Sequence, residues 1–298
     1  EQHSAKQYTH RVTRQLAFAT ATQLKSRVDV DTAKAIDLAS EKGASSWLTA
    51  LPIEEHGFAL HKGAFRDALA LRYNWLPSNL PTNCVCSKPF TVDHALSCPT
   101  GGFPSIRHNE LRDLTADALT EVCNNVCIEP HLQHLSGESL KYSSANTQDG
   151  ARLDIRASGF WGSRHQQAFF DVRVFNPNAS SYRHLPITTA YSRQEQLKRR
   201  HYEQRVREVE HSSFTPLVFS TSGGLGKAAQ VTYKRLAGLI AEKRDTNYAS
   251  IMTWLRTKIS FSLIRSAVTC LRGARSSRHS PFLDIHPDLA ISEGRLQN

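Results

Sequence analysis

Apolar positions recur at helical spacing through the first part of the chain: Leu16, Ala17, Ala21 and Leu24, then Ala33, Ile36, Leu38 and Ala39. Steps of three and four residues predict helices with one buried face. Gly43 and Ser45-Ser46 interrupt the pattern, which resumes from His61 to Tyr73 with Phe65, Ala68 and Leu69. Pro77 and Pro81, with Asn79 and Asn83, mark a boundary. A further helix is predicted from Ser105, as its cap, to about Val122, with Leu111, Leu114, Ala118 and Leu119 on one face. Val126 to Leu132 reads as a strand, and the polar stretch from Ser136 to Gly150 as a surface loop.

The period then shortens. Residues Ala151 to Phe175 read as two strands joined by a Gly-containing connection, with Asp154 in the first and Asp171 in the second. Alternation from Ala168 to Phe175 puts Asp171 and Arg173 on one face and Val172 and Val174 on the other. Tyr191 to His211 is a strongly charged helix that carries Tyr191, Glu195, Lys198 and Tyr202 on one side. Phe214 to Phe219 is a core strand, and it ends in Ser222-Gly-Gly-Leu-Gly-Lys227. That turn lacks the hydroxyl and the first glycine of a phosphate loop. Its amides, entering a helix at Lys227, could still receive a phosphate, although an ordinary turn explains them as well. Helices follow over Ala229 to Lys243 and Tyr248 to Leu271, with Trp254 and Phe261 expected in the core, and the basic tail beyond Gly273 is expected to be disordered.

Lysine and arginine outnumber aspartate and glutamate by 37 to 27, a net charge of +10 that favours a polyanionic partner without choosing among DNA, RNA and an acidic membrane. No apolar run is long enough to span a bilayer and no signal peptide opens the chain, so an intracellular, unsecreted protein is expected. A start at Glu1, with Met252 as the single methionine, reads as a piece of a longer open reading frame. In a reducing compartment closely spaced cysteines favour metal over disulfides.

Cys84, Cys86, His94 and Cys98 form such a set: four soft or borderline ligands within fifteen residues suit tetrahedral Zn2+ and leave no open position for catalysis. The Cys-x-Cys gap is tighter than usual, and chance cysteines beside a surface histidine are the alternative. Cys123 and Cys127 read as small buried apolar residues. Asp171 lies in an apolar strand between Phe170 and Val172, where a carboxylate is costly unless it is paired or bound to a cation. With Asp154 it would supply Mg2+ with hard oxygen ligands. Alternatively, both lie on a solvated hairpin edge, or Asp171 pairs with Arg173. Arg107 and His108 could contact a phosphate or lie exposed.

The order of these motifs is what carries a family resemblance. The Cys-Cys-His-Cys set, Arg107-His108-Asn109-Glu110, Arg-Leu-Asp154, Phe-Asp171-Val-Arg173, and Tyr191 with Lys198 and Tyr202 together resemble the C-terminal region of non-LTR retrotransposon proteins. There a reverse transcriptase is followed by a zinc knuckle and a restriction-like PD-(D/E)XK endonuclease. The likeness covers roughly residues 81–230, with Leu153 in place of the family's proline and Arg173 in place of the generic lysine. It implies an α/β restriction-endonuclease-like core over 105–245, a knuckle over 81–104, a helical linker over 1–80, and a C-terminal helix and tail over 246–298. It further implies a DNA partner, possibly element RNA, an upstream polymerase, and, with the basic charge, a nuclear location.

The resemblance assigns Glu110 as a third Mg2+ ligand, Lys198 as the residue that orients or deprotonates water, and Arg173 as a stabiliser of developing charge. A first-turn charge favoured by the helix dipole explains Glu110 equally, and a solvated helix laced with ion pairs explains Lys198 equally. Tyr191, Tyr202 and Lys227 complete the expected nucleic-acid contacts. The expected reaction is Mg2+-dependent nicking of DNA. A non-enzymatic nucleic-acid-binding remnant and a basic helical scaffold are the rival readings.

Overall fold

The computed structural model describes residues 2–275. Five helices come first: α1 (Gln2–Lys25), α2 (Val30–Ser40), α3 (Ser46–Thr49), α4 (Lys62–Arg72) and α5 (Val92–Ser97). Then follow α6 (Phe103–Thr120), β1 (Asn124–Ile128), β2 (Ile155–Ser158), β3 (Gln167–Phe175), α7 (Ile187–Glu208), β4 (Ser213–Ser220), α8 (Lys227–Lys243) and α9 (Tyr248–Arg272). The protein is thus mixed α/β, as its sequence periodicity predicts.

The four strands lie in the order β1-β2-β3-β4, antiparallel except for β3 with β4. A parallel pair needs a long crossover, and α7 supplies it. Both sheet faces are covered, which is why β3 reads as a nearly continuous apolar run. On one face Phe170 and Val172 pack with Leu111 of α6 and with Tyr233, Leu236 and Ile240 of α8, all at most 2% exposed. On the other, Phe169 meets Val206 of α7, and Phe175 meets Tyr191. Asp171 shares this second face, so the strand turns its carboxylate toward α7.

α9 binds the layers together. Its Leu255 and Ile259 enter the sheet core, Phe261 stacks on Phe58 at 5.2 Å beside Trp47, and Leu271 lies against Cys84 and Cys98. Its last turn holds Asp67 of α4, which is 4% exposed at its side chain, through a bidentate Arg272 guanidinium at 2.6 and 2.8 Å. Phe261 is in the core as expected, whereas Trp254 is half-buried. Cys123 and Cys127 are also half-buried, and Cys270 is the fully buried thiol outside the quartet.

Several boundaries move for local reasons. α6 starts two residues before Ser105: Gly102, at φ 74°, takes the left-handed cap position, and Pro104 sits in the first turn, where no amide hydrogen is needed. Asp154 stands just before β2 rather than inside it. Leu153, where the resembled family has proline, is 2% exposed and fills a small core with Leu132, Phe169 and Val206. The tail expected to be disordered lies outside the described residues apart from Ala274 and Arg275. Arg275 sets its guanidinium 4.9 Å from the Phe90 ring and 4.7 Å from that of Phe103.

Candidate functional site

β2 and β3 pair with Ile155 opposite Phe170, so the same register continued by one residue sets Asp154 across from Asp171. Asp154 Oδ2 accepts a hydrogen bond from the Val172 amide at 2.5 Å, which ties the two strands at the site. From α7, Lys198 Nζ comes to 2.7 Å from Asp171 Oδ2. Tyr202, one turn later, places its ring 5.7 Å from Lys198 Nζ and packs on Phe214. From α6, His108 Nε2 lies 3.1 Å from Asp154 Oδ1. Four elements therefore converge on one point of the sheet.

Burial sets the electrostatics. Asp171 is 4% exposed. Removal from water raises both carboxyl groups to about 6; Lys198 works against the rise at each, and the Val172 amide does so at Asp154. Burial also lowers His108, which leaves its imidazole neutral at pH 7. Asp171 Oδ2 and His108 Nε2 lack an aligned hydrogen-bond partner despite their short contacts with Lys198 and Asp154. The Lys198 ammonium at 2.7 Å offsets the cost of burying Asp171 Oδ2.

The other expected residues are placed differently. Glu110 is not brought to the aspartates; its Oε2 accepts from Ser266 Oγ of α9 at 2.6 Å. Two residues along a helix turn the side chain by about 200°, so His108 and Glu110 cannot face the same partner. It is His108 that reaches Asp154. Arg107 is 3% exposed, donates to the Leu96 carbonyl at 3.2 Å, and so does not face a phosphate at the surface. Tyr191 is also buried, with its hydroxyl donating to Glu41 Oε2 at 3.1 Å.

Lys227 is exposed at the first turn of α8, but the amide next to it, Ala228 N, already donates to Glu195 Oε1 at 2.9 Å. A carboxylate from α7 thus occupies the helix end proposed for phosphate. Arg173 is exposed and holds Gln194 Oε1 through Nε at 3.3 Å, two residues along the strand from Asp171.

The Cys/His quartet closes as spacing predicts. Thr91 caps α5 by accepting from His94 N at 3.1 Å, and the helix carries His94 to Cys98, its C-cap. Cys84 and Cys86 lie in a tight loop in which Cys84 N donates to the Lys88 carbonyl at 2.9 Å, with Ser87 at φ 65°. The Cys84–Cys98 and Cys86–Cys98 sulfurs are each 3.9 Å apart, Cys86 Sγ is 3.3 Å from His94 Nε2, and all four ligand atoms fall within 4.8 Å of one another. Sulfurs bound tetrahedrally at about 2.3 Å stand ~3.8 Å apart, so the quartet could hold a metal ion such as zinc. Among the described residues this is the one group of three or more His, Cys, Asp or Glu ligand atoms so gathered. The aspartate pair is not part of such a group.

No protein-family model matches this chain, and no curated protein does. The likeness to retrotransposon proteins therefore rests on motif order alone. No helix among the described residues is long and apolar enough to cross a membrane.

The side chain that sequence reasoning missed lies on α7 and holds the loop before Asp154. Arg205, 1% exposed, donates to the carbonyls of Asn146 and Gln148 at 2.9 Å and of Gln133 at 2.6 Å. In a helix rich in arginine nothing in the residue types singles this one out. Only its position three residues beyond Tyr202, facing the sheet, would have done so.

Proposed function

We propose that this protein is a metal-dependent phosphodiesterase acting on DNA, built on a restriction-endonuclease-like core with a zinc knuckle beside it. The observation that carries the reading is the juxtaposition of the buried Asp171 and the half-buried Asp154 with Lys198, whose Nζ lies 2.7 Å from Asp171 Oδ2. Asp154 and Asp171 would hold a hard divalent cation such as Mg2+, with the neutral His108 beside Asp154. When bound, that ion supplies charge neutralisation at the phosphate and acidifies a water. In hydrolysis a water oxygen adds to phosphorus, one P–O ester bond breaks, and the departing alkoxide takes a proton. Lys198 is the group placed to orient the attacking water or steady its charge, and Arg173 flanks the same face.

The quartet fits a structural zinc ion, since four protein ligands leave no vacancy for substrate. The motif order supports an origin in a non-LTR retrotransposon protein, with a polymerase upstream and work in the nucleus.

One observation favours a second reading. The Lys198–Asp171 contact at 2.7 Å already offsets the carboxylate's charge, as in a remnant that binds nucleic acid without cutting it. Nicking of supercoiled plasmid separates the two. The phosphodiesterase reading expects relaxed circles with Mg2+ and none without it. Intact plasmid in both lanes, with binding retained, would leave the remnant.

A further inference from the structure

The stretch from Gln133 to Gly150 has no regular secondary structure, yet it is stapled to α7 along its length. Arg205 takes three of its carbonyls, Gln204 Oε1 accepts from Lys141 N at 2.7 Å, Gln204 Nε2 donates to the Ser139 carbonyl at 3.3 Å, and Asn146 N donates to the His201 carbonyl at 2.9 Å. A buried arginine is expensive to desolvate, and here its two terminal nitrogens are met by the carbonyls of Gln133, Asn146 and Gln148. The loop is thereby held in one position rather than left as a solvated connection.

What that position presents is Tyr142, which is 41% exposed. Lys141 Nζ lies 5.6 Å from its ring centroid and the Arg200 guanidinium 5.9 Å from it. Both cations are exposed, so their contacts with the ring are weak and exchangeable. Four residues along the same loop, Asn146 hydrogen-bonds through its side chain to Tyr202, whose ring centroid lies 5.7 Å from Lys198 Nζ. The loop that carries Tyr142 is thus tied, through Asn146 and Tyr202, to the lysine that meets Asp171.

We infer that Lys141, Tyr142 and Arg200 form a docking ridge for an unpaired DNA strand next to the phosphodiester to be cut. This deepens, and rests on, the phosphodiesterase reading. An exposed aromatic ring can stack only on a base that is not enclosed in a duplex, and flanking cations suit the phosphates on either side of that base. The protein's positive charge draws in any nucleic acid; the ridge adds a preference for a duplex that opens into a single strand.

The test measures binding in the Asp171→Asn background, in Mg2+-free buffer without chelator so that the zinc site is undisturbed. Fluorescence anisotropy would compare a blunt duplex, the same duplex with an unpaired DNA arm, and one with an unpaired RNA arm. The DNA arm is expected to tighten binding about tenfold, the scale of one stacked base, and to do so at least as well as the RNA arm. Tyr142→Ala should abolish the gain and Tyr142→Phe keep it. Lys141→Ala with Arg200→Ala should lower the salt slope by roughly 1.5, near that of two phosphate contacts.

Equal binding of blunt and forked duplexes, a preference for the RNA arm, or an undiminished gain in Tyr142→Ala would overturn the ridge. Its outcome is separable from that of the catalytic reading. Loss of the fork gain in Tyr142→Ala, alongside a native protein that never nicks plasmid, would uphold the ridge and remove the nuclease.

Discussion

At the scale of single residues the aspartate pair makes two demands that oppose each other. A carboxyl whose folded value is raised binds more protons folded than unfolded, so stability falls as pH rises from about 4 through 6. We expect the metal-free protein to lose stability steadily across that window. Asp171→Asn should flatten the profile and Mg2+ should reverse its upper part, both read from urea melts between pH 4 and 8. A native profile that is flat without metal would show that the pair is not destabilised by burial. The same substitution changes little volume but replaces a charged hard ligand with a neutral one. Cleavage should drop by orders of magnitude in a nicking assay while affinity for DNA at low salt holds or rises. Nicking at the native rate would remove Asp171 as a ligand.

At the scale of elements, two local structures depend on groups far outside them. Residues 84–98 pack Cys84, Phe90, Ala95 and Cys98 against Leu271 of α9, and Leu96 against Phe103, Ala267 and Cys270, while the turn holding Cys84 and Cys86 has no regular element of its own. Cys86→Ser with His94→Ala should lower zinc content, measured by plasma emission, and expose 84–98 to hydrogen exchange while the sheet remains protected. Unchanged zinc stoichiometry would sink this. The loop stapled to α7 rests on one buried guanidinium. Arg205→Met preserves much of the volume but strands three carbonyls, and should cost about 3 kcal/mol and make residues 133–150 sensitive to protease. Native resistance to cleavage there would show that Gln204 and His201 suffice. That loop is where sequence reading fell short: Ser136 to Gly150 is polar and turn-rich, and polarity looks the same whether a loop is solvated or bonded to a helix.

At the scale of the whole molecule, α9 makes one body of segments that composition separates. Its C-terminal turn reaches α4 through the Arg272–Asp67 pair and the stretch before the Cys/His quartet through the Ser78 and Asn79 carbonyls. Arg272→Ala leaves a carboxylate buried and uncompensated, a loss of about 3 kcal/mol or more. Its melting should shift downward, with α4 and residues 84–98 exchanging hydrogen before the sheet does. A native-like melt would place the tie elsewhere, in the apolar contacts of Phe261 and Ala267.

Periodicity by itself determined most of the elements, because an apolar stripe or alternation must find a core and both are written along the chain. The metal-ligand quartet was legible for a related reason: its four residues lie within a span that one loop and one short helix can close. The aspartates were legible as an anomaly, a charge in an apolar strand. Tertiary structure decided which groups joined them. His108 rather than Glu110 meets Asp154, since side chains two apart on α6 diverge. Tyr191 turns to Glu41, and Glu195 takes the amide proposed for phosphate. Each of these choices depends on how far a helix is rotated about its axis against the sheet, which packing over many residues sets and which no short motif contains.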